Sequence, residues 1–347
     1  MKVALMSFAH THALGYARLL AAMPDVEVLT SDPDAATRPA GESGGATLAA
    51  ELGVDYVDTY DELLAWGPDA VVVCSENTRH RAHVEAAAAA GAAVLCEKPL
   101  ATSVADAEAM VAAGAAAGVP LMVAFPVRFS PTFTDLREQH LAGTIGKVHA
   151  ITGTNNGQVP AARAWFTDPD LAGGGAMTDH TVHLADLVDA LLDGVPAVRV
   201  HATANNLLHP DAAVETAGVV TVTYADGTNL TIDCSWSRPA SHSIWGGLTL
   251  TVVSDAGLID VDPFAPSVSG WSETAANELA LGYGPNLDEA LLATFLSAVR
   301  TGATPQPDGH VGIRTTAIVE AAYRSWREGR VVEVDPAGRP AAATPLR

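Results

Sequence analysis

The 347-residue chain carries 40 acidic against 19 basic side chains, a formal charge of −21, with 48% of its residues apolar. That field repels phosphate backbones and anionic lipid, which argues against nucleic acid or a membrane surface as partner, and no apolar run approaches the ~18 residues of a membrane span. Three cysteines are too few for a disulfide scaffold, and the apolar run that starts within Met1–Leu5 leaves no room for a secretory signal, so a cytoplasmic, two-domain protein is expected.

Short β runs alternate with helical segments over the first third. Strands are expected at Val3–Ser7, Val26–Thr30, Ala70–Cys74, Ala93–Cys96 and Leu121–Ala124. Helices are expected at His12–Ala22, Ala46–Leu52, Arg79–Ala90 and Val104–Ala117. Continuous apolar strands of four to six residues suit a parallel sheet buried on both faces, with the helices as crossovers. A doubly wound α/β domain over residues 1–125 follows.

The pattern changes after residue 125. Val148–Thr154, Val198–Ala204, Ala217–Tyr224, Thr228–Trp236, Leu248–Val253 and Leu258–Val261 read as strands. Asp226-Gly227 and Ser254–Gly257 are hairpin turn signals. Long helices are expected at Ala176–Leu192, Asp288–Arg300 and Gly312–Glu328. Residues 126–335 therefore read as an α+β domain on an open, mostly antiparallel sheet, and the Pro/Ala-rich stretch 336–347 as a flexible tail.

Three segments carry chemistry. Lys98, one of only three lysines, sits in Glu97-Lys98-Pro99 at the tip of a buried parallel strand, where ligands of open α/β sheets collect. A compact ammonium there could stabilise developing negative charge; a lysine capping a loop is the structural alternative. Second, Gly173-Gly174-Gly175 opens a helix on which Asp179 and His183 are four apart, with Asp186 three further on. A carboxylate one turn from an imidazole can orient a general base, or form a merely structural pair.

Third, the turn after the first strand, Ser7-Phe8-Ala9-His10-Thr11-His12, stands where a dinucleotide fold has Gly-x-Gly-x-x-Gly and contains none of those glycines. Ala9 still allows close backbone approach, and the helix N-terminus offers amide donors to a pyrophosphate. Asp32 closes the second strand, where an acidic residue binds ribose hydroxyls and favours NAD over NADP, with Arg38 nearby as a counterweight.

Together these segments resemble the Gfo/Idh/MocA oxidoreductases, the glucose–fructose oxidoreductase and inositol dehydrogenase group. The landmarks are Ser75-Glu76-Asn77-Thr78-Arg79-His80, Glu97-Lys98-Pro99, Arg128-Phe129, Trp165-Phe166-Thr167-Asp168-Pro169 and Gly173–Asp186. The resemblance implies an N-terminal Rossmann domain binding NAD, and a C-terminal domain that binds a sugar, polyol or inositol-like substrate and builds a homodimer or homotetramer. It also implies Lys98, Asp179 and His183 as the catalytic set. Ser7, Ala9, His10, Thr11, His12, Asp32, Ser75, Asn77, His80, Glu97 and Lys98 are then expected at the cofactor, and Arg128, Arg163, Trp165 and His180 at the substrate. The chain departs from the family pattern at His12 in the third glycine position, at Glu76 for proline and at Pro126 for asparagine.

Two rival reactions fit parts of this set. Some relatives retain NAD and cleave glycosidic bonds through transient oxidation. His10-x-His12 after a first strand also opens metal-dependent amidohydrolases, but these need eight βα units, and the second half reads as hairpins. No metal is expected; His10 and His12 read as polar loop residues beside cofactor or substrate.

Overall fold

Short strands, most of them apolar on both faces, build the first sheet. They are β1 (Lys2–Met6), β2 (Glu27–Ser31), β3 (Asp55–Tyr56), β4 (Ala70–Val73), β5 (Ala93–Cys96) and β6 (Leu121–Val123), in the order β3-β2-β1-β4-β5-β6 and all parallel. Every residue of β4 and β5 is buried, as a sheet covered by helices on both sides requires. The order reverses between β1 and β4, and the crevice beyond those strand ends is where a doubly wound fold binds its ligand. The computed structural model describes residues 1–265, 267–274 and 276–335, so the tail expected at 336–347 lies outside the described residues.

The chain divides into two compact units, and the first is discontinuous: Met1–Pro126, Pro160–Gly173 and Leu287–Ile313. The segment 160–173 lies over the strand ends of the first sheet. Trp165 Nε1 donates to the Ala9 carbonyl at 3.0 Å, Asn77 Nδ2 to the Ala172 carbonyl at 2.9 Å, and the Ala164 amide to Glu42 at 2.7 Å.

The second unit, Val127–Val159, Gly174–Asn286 and Arg314–Arg347, is built on a seven-stranded sheet. Its strands are β7 (Val148–Gly157), β8 (Ala197–Asn205), β9 (Ala217–Tyr224), β10 (Asn229–Ser235), β11 (Gly246–Ser254), β12 (Gly257–Val261) and, after a two-stranded ribbon of β13 (Ser267–Ser272) and β14 (Asn277–Gly282), β15 (Val332–Glu333). The order is β12-β11-β7-β10-β9-β8-β15, antiparallel except where β10 runs parallel to β7. Both hairpin turns form where Gly227 and Gly257 take positive φ, at +90° and +111°. One face of the sheet packs on helix Ala176–Leu191, with Val220, Val222, Ile232, Leu250 and Val252 buried. A single mixed sheet in place of further βα units excludes the amidohydrolase barrel.

Helices Tyr60–Ala65 and Pro131–Leu141, the short β3 and the β13–β14 ribbon are not among the elements expected from the sequence.

Candidate active site

In the first unit the turn after β1 keeps the shape a glycine would give it. Ser7 takes φ +72°, and its Oγ accepts the Ala9 amide at 3.1 Å, replacing conformational freedom with a local hydrogen bond. Most of the remaining amides of the turn are also engaged, that of Thr11 excepted. Phe8 donates to Asp32 Oδ1 (3.1 Å), His10 to the Cys74 carbonyl (2.9 Å) and His12 to His10 Nδ1 (3.2 Å). Ala13 and Leu14 donate to the carbonyls of His10 and Thr11, while the Thr11 side chain is exposed and caps nothing. Apart from the Thr11 amide, the donors expected to cradle a pyrophosphate are therefore directed into the protein.

His12, at the first position of helix His12–Ala21, faces the tip of β5: its Nδ1 lies 3.0 Å from Glu97 Oε1. His10 Nε2 lies 3.8 Å from Glu97 Oε2, and the two imidazoles meet edge to face at 4.4 Å. Burial of Glu97 opposes its charge, but His10 and His12 more than offset this and hold the carboxyl well below the usual range. Burial likewise opposes the His12 imidazolium, and Glu97, with Asp288 behind it, raises its pKa. These three residues are, among those described, the one histidine–carboxylate cluster with donor atoms close enough for a metal. His10 Nδ1 accepts the His12 amide, so the His10 proton resides on Nε2 and that nitrogen offers no lone pair toward Glu97. Its one imidazole–carboxylate hydrogen bond is that between His12 and Glu97; His10 Nε2 stands beyond hydrogen-bond reach of that carboxylate.

At the tip of β2 the Asp32 carboxylate, 1% exposed, is saturated. Oδ1 accepts from Ser7 Oγ (3.2 Å), the Phe8 amide (3.1 Å) and Arg38 Nη2 (2.6 Å); Oδ2 accepts from Arg38 Nη1 (2.8 Å) and the Gly45 amide (2.9 Å). Five donors fill its acceptor positions. Arg163, expected at the substrate, belongs instead to this neighbourhood, within the first unit and near enough to Arg38 and Asp32 to feel their charges. Trp165 braces the turn through Ala9, and its ring stacks on Phe166 at 3.9 Å.

The β4 and β5 loops complete this unit's crevice. His80 is buried between the two loops, with Nδ1 2.9 Å from the Pro99 carbonyl and Nε2 3.2 Å from the Ser75 carbonyl; burial lowers its pKa, and the neutral ring donates to one of the two. It packs the Glu97-Lys98-Pro99 turn beside Ser75, whose Oγ donates to the Glu76 carbonyl. Lys98 is 4% exposed at the strand tip. Asn77 donates to Ala172, leaving its Oδ1 a buried acceptor with no partner among the described residues.

In the second unit, helix Ala176–Leu191 begins against Glu215, itself 4% exposed. That carboxylate accepts the amides of Gly175 (3.0 Å) and Met177 (2.9 Å) and the Tyr323 hydroxyl (2.6 Å). A buried anion thus satisfies the first-turn donors and faces the positive end of the helix dipole. Gly174 and Gly175 are required by proximity: a Cβ on the first would strike the Tyr323 hydroxyl, and on the second the Glu215 carbonyl oxygen. Asp179 and His183 lie one turn apart on the same face, and His183 is the one residue of this helix that is not fully buried. Asp179 Oδ2 accepts from Trp236 Nε1 at 3.3 Å and lies 3.2 Å from His180 Nε2. Neither contact was readable from spacing along the chain. His180 is buried edge-on to the Trp245 ring. Arg128 is engaged on the same helix, donating to both carboxylate oxygens of Asp186 at 3.1 and 2.6 Å.

Two family profiles match. One is described as the oxidoreductase family with an NAD-binding Rossmann fold, over residues 26–125, and the other as the GFO/IDH/MocA C-terminal domain, over residues 133–260. The first begins after the aberrant β1 turn. The chain is 30% identical to D-xylose 1-dehydrogenase (NADP(+)) 2 of Haloferax volcanii, over 85% of this chain and 90% of that one. It is 29% identical to D-apiose dehydrogenase of Paraburkholderia graminis, over 80% and 76%. Among solved structures it is similar to GenD2 from gentamicin A biosynthesis in complex with NAD, with TM-score 0.85, 27% identity and 96% of each chain covered.

Proposed function

This chain belongs to the Gfo/Idh/MocA oxidoreductase family, with an NAD-binding Rossmann domain, and from that premise we propose that it is a dehydrogenase or reductase of a secondary alcohol or its ketone on a sugar, polyol or inositol-like substrate. The observation that carries this reading is the retention of Lys98, buried at the β5 tip, together with Asp179 and His183 on a helix fixed at its start by Glu215. Relatives named as D-apiose, D-xylose and inositol 2-dehydrogenases support the substrate class.

Residues 1–125 take the dinucleotide, along Ser7–His12, Asp32, Ser75, Asn77, His80 and Glu97. The fit rests on the left-handed turn at Ser7 and on the orphan acceptor Asn77 Oδ1, which an amide N–H would satisfy. Bound nicotinamide supplies the hydride acceptor, or the donor in the reverse direction. His183 takes the proton of the substrate hydroxyl, and buried Asp179, one turn before it, orients the site. Lys98 donates a hydrogen bond to the reacting oxygen and stabilises its developing charge. Asp32 shapes the β2 tip, and His80 and Glu97 hold the turn that presents Lys98. Residues 126–335 take the substrate, with His180 beside Asp179 and Arg128 fixing the helix through Asp186.

A cytoplasmic homodimer or homotetramer accompanies this reading. All three cysteines are free and buried, and no helix among the described residues is long and apolar enough to cross a membrane. The outer face of the seven-stranded sheet presents β-branched side chains, Val219 and Val253 being 46% and 40% exposed, as a sheet that associates through its face requires. Calorimetric titration with NAD(H) and NADP(H), followed by turnover assays on a panel of aldoses and inositols, tests the function. Binding of a dinucleotide with reduction of it by at least one polyol is expected; neither binding nor turnover would overturn the reading.

A further inference from the structure

Arg163 is 4% exposed, and no hydrogen bond or ion pair of its guanidinium is found among the described residues; its Nε is a fully buried donor without an acceptor. A buried charge without a partner is costly enough that proteins pair it, with a side chain or with a ligand. Its surroundings sharpen the point. Burial, then the neighbouring charge of Arg38, push the Arg163 pKa down, against weaker support from Glu42 and Asp32. Asp32 is already held by both Arg38 nitrogens and three further donors, and Glu42 accepts the Ala164 amide. The Arg38 Nε is a second buried donor with no acceptor. Two guanidiniums therefore face one consumed carboxylate at the tip of β2, on the ligand-binding edge of the first sheet.

The β1 turn supplies the complementary observation. The amides of Phe8, Ala9, His10 and His12, which a glycine loop would turn toward phosphate, are all bonded within the protein. Of this turn that leaves the Thr11 amide, so a dinucleotide bound here needs further cationic contacts, in a chain whose overall charge of −21 repels it.

We propose that Arg163, with Arg38 beside it, is the phosphate anchor of the dinucleotide, in place of the missing glycine-loop amides. This rests on the dinucleotide-dependent reading above. The shared chemistry is a phosphate, and two groups of the ligand offer one: the pyrophosphate bridge, common to NAD and NADP, and the 2′-phosphate, found only in NADP. A guanidinium fork suits either.

Calorimetry on wild type and Arg163→Gln with NADH and NADPH tests the anchor. Loss of a charge-assisted contact corresponds to a fall of about ten- to a hundredfold in affinity. An equal fall for both ligands assigns the pyrophosphate, and a fall for NADPH alone assigns the 2′-phosphate. The ligand-free variant is expected to melt no lower than wild type, because a buried donor without an acceptor has been removed. Affinities within twofold of wild type overturn the proposal, and so does a lowered melting temperature with unchanged affinity, which marks a structural arginine. If wild type binds neither dinucleotide, the functional reading fails, and inorganic pyrophosphate then decides the site. A rise in the wild-type melting temperature that Arg163→Gln lacks upholds it, and no rise overturns it. Should the glutamine variant not fold, Arg163→Lys, which keeps the charge without the fork, is expected to lose several-fold in affinity, and wild-type affinity in it counts against the anchor.

Discussion

His12 Nδ1 stands 3.0 Å from Oε1 of Glu97, joining the first residue of the helix after β1 to the residue that precedes Lys98. One hydrogen bond thus ties the position where the family pattern has its third glycine to the tip of the strand that carries the proposed catalytic lysine.

This pair should leave a pH signature in stability. The folded-state pKa of His12 is raised, so its contribution is complete below the ordinary histidine value of 6.5 and is lost as pH rises through the higher folded value. That of Glu97 is lowered, so its contribution is complete above the ordinary value of 4.5 and is lost as pH falls toward its folded value. The pair is fully stabilising between these limits. Urea denaturation of wild type and His12→Gln should show a difference that is largest from about pH 5 to 6.5 and shrinks above neutrality. A difference independent of pH would contradict the ion pair.

Glu97→Ala removes the buried carboxylate that holds His12 and should cost about 3–5 kcal/mol, as breaking a buried pair does. Glu97→Gln, which keeps shape and one acceptor, should cost less. Midpoints and slopes of urea unfolding compare them directly.

Gly175→Ala places a methyl against the Glu215 carbonyl oxygen, which is backbone and cannot rotate away. We expect a loss of about 3 kcal/mol or more, with turnover falling together with stability as the start of the helix shifts. A variant as stable as wild type would show that this approach is not close.

Tyr323→Phe deletes the hydroxyl that donates to Glu215 at 2.6 Å and accepts from the Gly175 amide and Thr178. About 1–3 kcal/mol should be lost, because buried partners are left unsatisfied. Dinucleotide affinity should not change, since the hydroxyl bonds only within the second unit.

Lys98→Ala and His183→Ala should each lower kcat by about 10²–10⁴, with dinucleotide affinity by calorimetry largely kept. Wild-type turnover in either variant removes that residue from the reaction.

Much of the fold was legible because its signals are local. Ala70–Val73 and Ala93–Cys96 are apolar without interruption, and only a sheet covered on both faces buries such runs. Asp226-Gly227 marks its hairpin through one glycine's positive φ. The unread elements had weaker or overlooked signals. Helix Tyr60–Ala65 is announced by the capping box of Thr59 and Glu62, whereas the two-residue β3 is made a strand only by β2 beside it.

Of the candidate site, the sequence by itself singled out the residues proposed to bear the chemistry: Lys98 by its rarity and place at a strand tip, and Asp179 and His183 by helical spacing. Partners distant in the chain were decided only by the tertiary structure. Asp32 looked available for a ribose, yet a side chain six residues on and a backbone amide thirteen on fill its oxygens. Arg163 looked like a substrate residue because polar groups and rings, here Arg163 and Trp165, can line a carbohydrate pocket, yet the segment 160–173 returns to the first unit and buries it beside Arg38. Periodicity and spacing report what neighbours in the chain do, whereas a buried charge is defined by whichever groups the folded chain brings around it.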